Sequence, residues 1–351
     1  MKKAMIFISV LLSAVMMFTG CTGESSGYRE HIIYGMDTYI TFKLSCSASD
    51  GSEIDDGCAD ELERECSQII SNNEMLMSSH NDDAMVYGLN HGVERIDEAA
   101  ETLISILRMS IDISNKTAGA YNPALGSLTE LWNVSGGGPV PSDADITSAL
   151  EHISADCITV TDNSVSKSDP DCHIDLGGIG KGYTAQEIVE HLASKGVSYG
   201  LVSMGGNVGV FGVKEDSSPF KIGICDPNNT SSVLGYLSIE SGFISVSGDY
   251  ERYFEENGRR YHHIIDPDTG YPAESGLRSV AVWSNNGAVS DALSTALFVM
   301  GTEKSLEFYR SGDMHFEAIF ITNENEIILT DGLSDGAFEL SGSTYSIKSV
   351  N

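Results

Sequence analysis

The chain has 351 residues, enough for one large domain or two small ones with a sizeable core, so it needs no covalent or metal staple to fold. Hydrophobic content is 41% and charged content 20%, both ordinary, but the formal net charge is −31. Such a field argues against nucleic acid as a partner, and it repels a diphosphate ligand unless a local cation offsets it.

The N-terminus reads as a processing segment. Lys2 and Lys3 form a basic region, and 4–18 is almost wholly apolar, about the length of a signal core and short for a membrane span. It ends Phe18-Thr-Gly-Cys21, similar to a bacterial lipoprotein box, with Phe18 where Leu or Val is usual. We expect a lipoprotein signal peptide over 1–20, lipidation (palmitate) at Cys21, a tether over 21–30 and one domain over 31–351, lipid-anchored on the extracytoplasmic face of the cell membrane. An ordinary signal peptide with an incidental cysteine, or an uncleaved anchor, is the alternative. Of the other cysteines, Cys157 and Cys172 flank a hairpin and are able to meet; export permits a disulfide, and free thiols fit an anaerobic life.

The domain opens near His31. A Ser/Asp/Gly-rich loop covers 46–57. Two amphipathic helices are predicted, over 58–72 with Leu62, Cys66, Ile69 and Ile70 on one face, and over 96–116 with Leu103, Ile104, Leu107 and Ile111, capped by Asp97. Ser135-Gly-Gly-Gly-Pro139 is a flexible break. A helix follows over 184–195 and stops at Gly196. Strands are predicted over 199–203, 208–213, 220–225, 234–239, 243–247 and 277–283. A helix over 288–300 is closed by Gly301, and a hairpin joins 316–321 to 326–329. The elements mix without strict βαβ alternation, which favours an α+β fold.

Five segments carry chemistry. Gly177-Gly-Ile-Gly-Lys-Gly182 precedes a helix, whose first N–H groups and partial positive charge suit phosphate, with Lys181 adding a full charge. Gly182 rules out a Walker A loop, which needs Ser or Thr there, and the glycine spacing is not the Rossmann one. Asp291 and Thr295, four apart on a helix, offer hard oxygens to Mg²⁺ from one face. His262 and His263 are neighbours in a strand-like run and point to opposite sides, so at most one serves a given site, as a proton acceptor. Met204-Gly-Gly-Asn207 marks close approach by a ligand or backbone. In Thr117-Ala-Gly-Ala-Tyr-Asn-Pro123, Tyr121 suits stacking on a flat ring and Asn122 suits bonding its edge. Each segment alone is explained equally well by a turn, a cap or core packing.

Taken together and in order, these segments resemble the ApbE family of FAD:protein FMN transferases. The resemblance runs from about Ile32 to Thr330 and rests on Gly35-Met-Asp-Thr38, Thr117 to Ala124, Asp175 to Tyr183, Met204 to Asn207, His263 to Gly270 and Asp291 to Thr295. It implies a single catalytic domain with a ligand cleft, in an ApbE or T-fold-like α+β architecture of mixed, mostly antiparallel sheets with packed helices. It implies FAD as substrate, its ring near Met36 and Ala120-Tyr121-Asn122, with Lys181, Glu187 and the Ile265 backbone approaching it. Mg²⁺ is implied at the Thr184 carbonyl, Asp291 and Thr295, and His263 as the residue that activates the incoming hydroxyl. The implied reaction moves FMN onto a Thr or Ser of an acceptor flavoprotein, often of a membrane electron-transport complex, and releases AMP. Asn122 departs from a frequent Asp, Thr184 from a frequent Ala, and 78–83 lacks the usual Tyr-x-Pro pattern. The same residues also admit FAD hydrolysis to FMN and AMP, or flavin binding without catalysis.

Overall fold

The computed structural model describes residues 28–342 and 344–348. The predicted leader, Cys21 and most of the tether lie outside those residues. Among the described residues no helix is long and apolar enough to cross a membrane.

A nine-stranded sheet organises the molecule, and its strands lie side by side in chain order: Tyr28–Gly35, Thr38–Ser45, Tyr199–Met204, Asn207–Gly212, Gly242–Gly248, Leu277–Ser284, Glu317–Thr322, Glu326–Leu329 and Ser346–Lys348. Each neighbouring pair is antiparallel except the last, which is parallel. The expected α+β class with mostly antiparallel sheets is therefore what the chain forms.

The middle strands are buried on both faces, which explains their near-continuous apolar runs. In Leu277–Ser284, Val280 and Val282 join a core with Leu103, Leu293 and Leu297 from the helices. Ala281, between them, joins Phe220, Ile222 and Leu237 of a smaller sheet on the opposite side. That smaller sheet is built from Phe220–Asp226, Asn229–Ile239 and Phe338–Leu340. Helices Asp56–Met77, Glu101–Lys116, Gly180–Ser194 and Gly287–Ser311 form the other layer.

Several boundaries differ from expectation. Residues 28–30, expected in the tether, belong to the first strand, where Tyr28 packs edge-on to Tyr199 and Glu30 pairs with Lys43. The Asp97 cap is not formed. Arg95–Asp97 is a short strand paired with Ser164–Lys167, Glu98 turns the chain at φ 58°, and the helix starts at Glu101. The first long helix is capped by the Asp55 side chain and continues to Met77, because Asn73 and Met77 extend its buried stripe. Gly301 closes the expected helix, as its non-helical φ 72° and ψ 175° show, and a second helical segment follows directly to Ser311, with Phe308 stacked on Phe316. Cys157 and Cys172 form a disulfide.

Candidate active site

The site forms where the starts of two helices cross. A Cβ on Gly182 would lie 2.1 Å from the Gly287 carbonyl oxygen, and one on Gly287 would lie 2.3 Å from that of Gly182. Only backbone fits there. The close crossing lets the Gly182 N–H, one of the unpaired donors in the first turn of its helix, donate to Asp291 Oδ2 at 2.9 Å. Asp291 is buried. Its helix is held to the sheet by hydroxyl pairs, Ser245 with Ser290 and Ser247 with Ser294, both at 2.8 Å.

Thr295 sits one turn beyond Asp291, its hydroxyl 3.3 Å from Ser247 Oγ and 3.3 Å from where a Gly178 Cβ would be. The glycine loop thus passes directly over Thr295. A carboxylate and a hydroxyl side by side are hard donors that fit Mg²⁺. Thr184 is fully buried, and its hydroxyl donates to the Gly180 carbonyl (2.8 Å) and accepts from Asn73 Nδ2 (3.0 Å). Its side chain is thereby occupied, which leaves the backbone oxygen as its available ligand.

Met36 occupies a two-residue hairpin turn with Asp37, at φ 49° and 58°. Its methyl group lies 3.7 Å from the Cβ position of Gly180, alongside Met77 Sδ at 3.4 Å. Lys181 folds back so that Nζ donates to the Gly177 carbonyl at 3.3 Å. Met36, Lys181, Asp291 and Thr295 therefore surround one glycine loop. Ala120 is half-buried beside the loop's partner Tyr121.

Other expected contacts fall elsewhere. Tyr121 has no open ring face for stacking: it is 3% exposed, its ring edge lies 3.4 Å from the Gly178 Cβ position, and its hydroxyl donates to Ser110 at 3.3 Å. Burial pushes that phenol's pKa well up. The Asn122 carboxamide is taken by its own turn, donating to the Ile153 carbonyl (2.8 Å) and accepting from Ala124 N–H (2.9 Å), so it is not offered to a ring edge. Glu187 is the exception: one turn beyond Thr184, it accepts from the same Asn73 Nδ2 at 2.5 Å and lines a cavity of about 750 Å³ with Ile69, Asn73, Leu76 and Thr102. Burial raises the Glu187 pKa. Ile265 is buried beside Trp132 and forms a backbone bridge with Pro272.

His262 and His263 divide as alternation requires. His262 is buried, with Nε2 3.1 Å from the Ala273 carbonyl. His263 follows it, half-buried, and both its backbone N–H (3.1 Å) and its Nδ1 (3.2 Å) face the Arg252 carbonyl. A carbonyl only accepts, so Nδ1 carries the proton and Nε2 is a free acceptor. Enclosure of the ring, followed by the charge of Arg252, pushes the His263 pKa well below its ordinary value.

The same segment brings residues not expected from the sequence. Burial pushes Glu251 up and Asp291 adds to the rise, while Lys181 and Arg252 pull it back; the result is about 7. Its Oε1 lies 3.5 Å from the Cβ position of Gly206. Arg278 holds this segment through both oxygens of Asp249, at 3.1 and 2.8 Å. Asp249-Tyr-Glu-Arg252 has no glycine or histidine signature; the only signal was a cluster of charge directly after a strand.

The family model described as "ApbE family" matches residues 36–320. A Klebsiella pneumoniae (strain 342) protein named FAD:protein FMN transferase is 33% identical, over 75% of this chain and 83% of its own length. A Treponema pallidum (strain Nichols) protein of the same name is 31% identical, over 76% of this chain and 78% of its own. The crystal structure of the ApbE protein from Thermotoga maritima superposes with a TM-score of 0.78 at 30% identity, covering 87% of this chain and 98% of that one. The fold, the ordered motifs and these similarities together place the chain in the ApbE family.

Proposed function

We propose that this chain is a Mg²⁺-dependent FAD:protein FMN transferase, which moves FMN from FAD to a Thr or Ser hydroxyl of an acceptor flavoprotein and releases AMP. Its named relatives and their fold support the transfer. The observation that carries the chemistry is His263: Nδ1 is held by the Arg252 carbonyl, and Nε2 is left neutral and free.

Phosphoryl transfer asks for charge neutralisation and positioning more than for covalent groups. Lys181 and the first turn of its helix supply fixed positive potential on an otherwise anionic protein. Asp291 and Thr295, with the Thr184 backbone oxygen, would hold Mg²⁺, which supplies charge neutralisation to the diphosphate and polarises phosphorus. His263 Nε2 takes the proton of the acceptor hydroxyl as its oxygen bonds to the FMN phosphorus. The bond from that phosphorus to the bridging oxygen breaks, and the electron pair leaves with AMP.

The proposal extends to place and partner. The leader and Cys21 support a lipid anchor at the extracytoplasmic face of the cell membrane. An acceptor subunit of a membrane electron-transport complex suits that position. The test incubates mature protein with FAD, Mg²⁺ and such an acceptor, then weighs the acceptor. Covalent FMN is the expected result. Free FMN and AMP with no gain on the acceptor would replace transfer by hydrolysis, and unchanged FAD would leave only binding.

A further inference from the structure

The paired glycines and Asn207 have no part in the steps above. Gly205 and Gly206, at φ 50° and 94°, form the two-residue turn between strands Tyr199–Met204 and Asn207–Gly212. A Cβ on Gly205 would lie 2.6 Å from Thr38 Oγ1, beside the turn that carries Met36. One on Gly206 would lie 3.5 Å from Glu251 Oε1, in the charged neighbourhood of Lys181 and Asp291. The turn therefore spans the gap between the Met36 end of the site and its phosphate end.

Asn207 is the first residue after that turn. It pairs in register with Ser245, so the two side chains share a face of the sheet. Ser245 on that face bonds Ser290, the neighbour of Asp291. Asn207 is 3% exposed, and its Oδ1 is buried without a hydrogen-bond partner. Buried polar atoms are ordinarily paired, so this one is built for a partner the protein does not supply. A carboxamide oxygen only accepts, so the partner must donate. An ionised phosphate has no hydrogen to give. A chain of alcohols does, and such a chain joins the ring of a flavin dinucleotide to its diphosphate.

We propose that Asn207 Oδ1 binds a hydroxyl of the ribityl chain of FAD, with Gly205 and Gly206 giving that chain room to pass close to the backbone. This contact makes Asn207 a specificity residue for the flavin half of the substrate, and it rests on FAD being the substrate.

The test measures Mg²⁺-dependent binding of FAD and of ADP by calorimetry, in wild type and Asn207→Ala. ADP shares the adenosine diphosphate but lacks the ribityl chain. Loss of one hydrogen bond is expected to weaken FAD by about tenfold and leave ADP unchanged. Unchanged FAD affinity overturns the proposal, and so does an equal fall for both ligands. If Asn207→Ala does not fold, Asn207→Ser is measured in the same way. A wild type that binds FAD but transfers nothing sinks the transferase reading while this contact stands or falls on its own measurement. A wild type that binds ADP but not FAD overturns both.

Discussion

The backbone N–H of Gly182 donates to the side chain of Asp291 across 109 positions of sequence, at 2.9 Å. That bond is allowed only because Gly182 and Gly287 bring two helix starts into backbone contact. The proposed phosphate loop and the proposed metal carboxylate are thus one structural unit.

Gly182→Ala places a methyl group 2.1 Å from the Gly287 oxygen, and that neighbour is backbone. The helices must part. We expect a loss of about 1–3 kcal/mol in stability, together with loss of transfer. Thermal unfolding and a transfer assay check it; a wild-type melting temperature with full turnover would show that the crossing yields freely.

Asp291→Asn keeps an oxygen that accepts from Gly182 but removes the charge. The protein is expected to stay folded, lose turnover, and not recover with added Mg²⁺ at ordinary concentrations. Asp291→Ala loses turnover as well and also loses the link to Gly182. Full activity in the Asn variant would remove this carboxylate from the metal shell.

His263→Ala is expected to retain FAD and to lose transfer by roughly 10²–10⁴-fold, the usual worth of a general base. The active form of His263 is the neutral one, and its pKa lies well below the ordinary imidazole value. The rate attributable to it therefore persists as pH falls past the ordinary value and fails only at lower pH. The pH profile of kcat/KM measures this, and loss of FAD affinity in the Ala variant would instead mark a structural histidine.

Glu251 binds its proton more tightly in the folded protein, with a pKa raised from 4.5 to about 7. The folded state then holds more protons than the unfolded one across that window. The stability linked to this group is full below 4.5 and is lost as pH rises through about 7. Glu251→Gln is expected to remove that loss, so its stability gains on wild type between pH 5 and pH 8. Denaturant midpoints at the two pH values decide it; parallel behaviour would refute the shift.

The Cys157–Cys172 disulfide closes a separation of 15 residues. Cys157→Ser with Cys172→Ser is expected to cost about 3 kcal/mol through the freed unfolded chain. Denaturant unfolding of the double variant, compared with oxidised wild type, reads the difference; equal midpoints would show that the bond adds nothing to stability.

Much of this site was legible in the chain because its chemistry is local. A glycine loop before a helix, an Asp and a Thr four apart, and a His beside an Asp-Pro turn announce themselves through spacing. The first hairpin was not legible, because a two-residue turn at Met36-Asp37 carries no glycine and takes positive φ from non-glycine residues. Tyr121 and Asn122 were legible as a turn but misleading as ring contacts. An aromatic ring and an amide look alike in sequence whether they face a ligand or serve the core, and here Ser110, Ile153 and Ala124 take their polar atoms.

By itself the sequence determined the α+β class, the order of motifs and which residue types are available for phosphate and metal, since these follow from periodicity, spacing and side-chain chemistry. Only the tertiary structure decided that Asn73 joins Glu187 to Thr184 at the wall of a cavity, that Arg252 joins His263, and that Asn207 buries an unpaired oxygen. Those outcomes depend on which helix face meets which strand and on how far water is excluded there. Both are properties of packing between segments distant in the chain, and no local pattern encodes them.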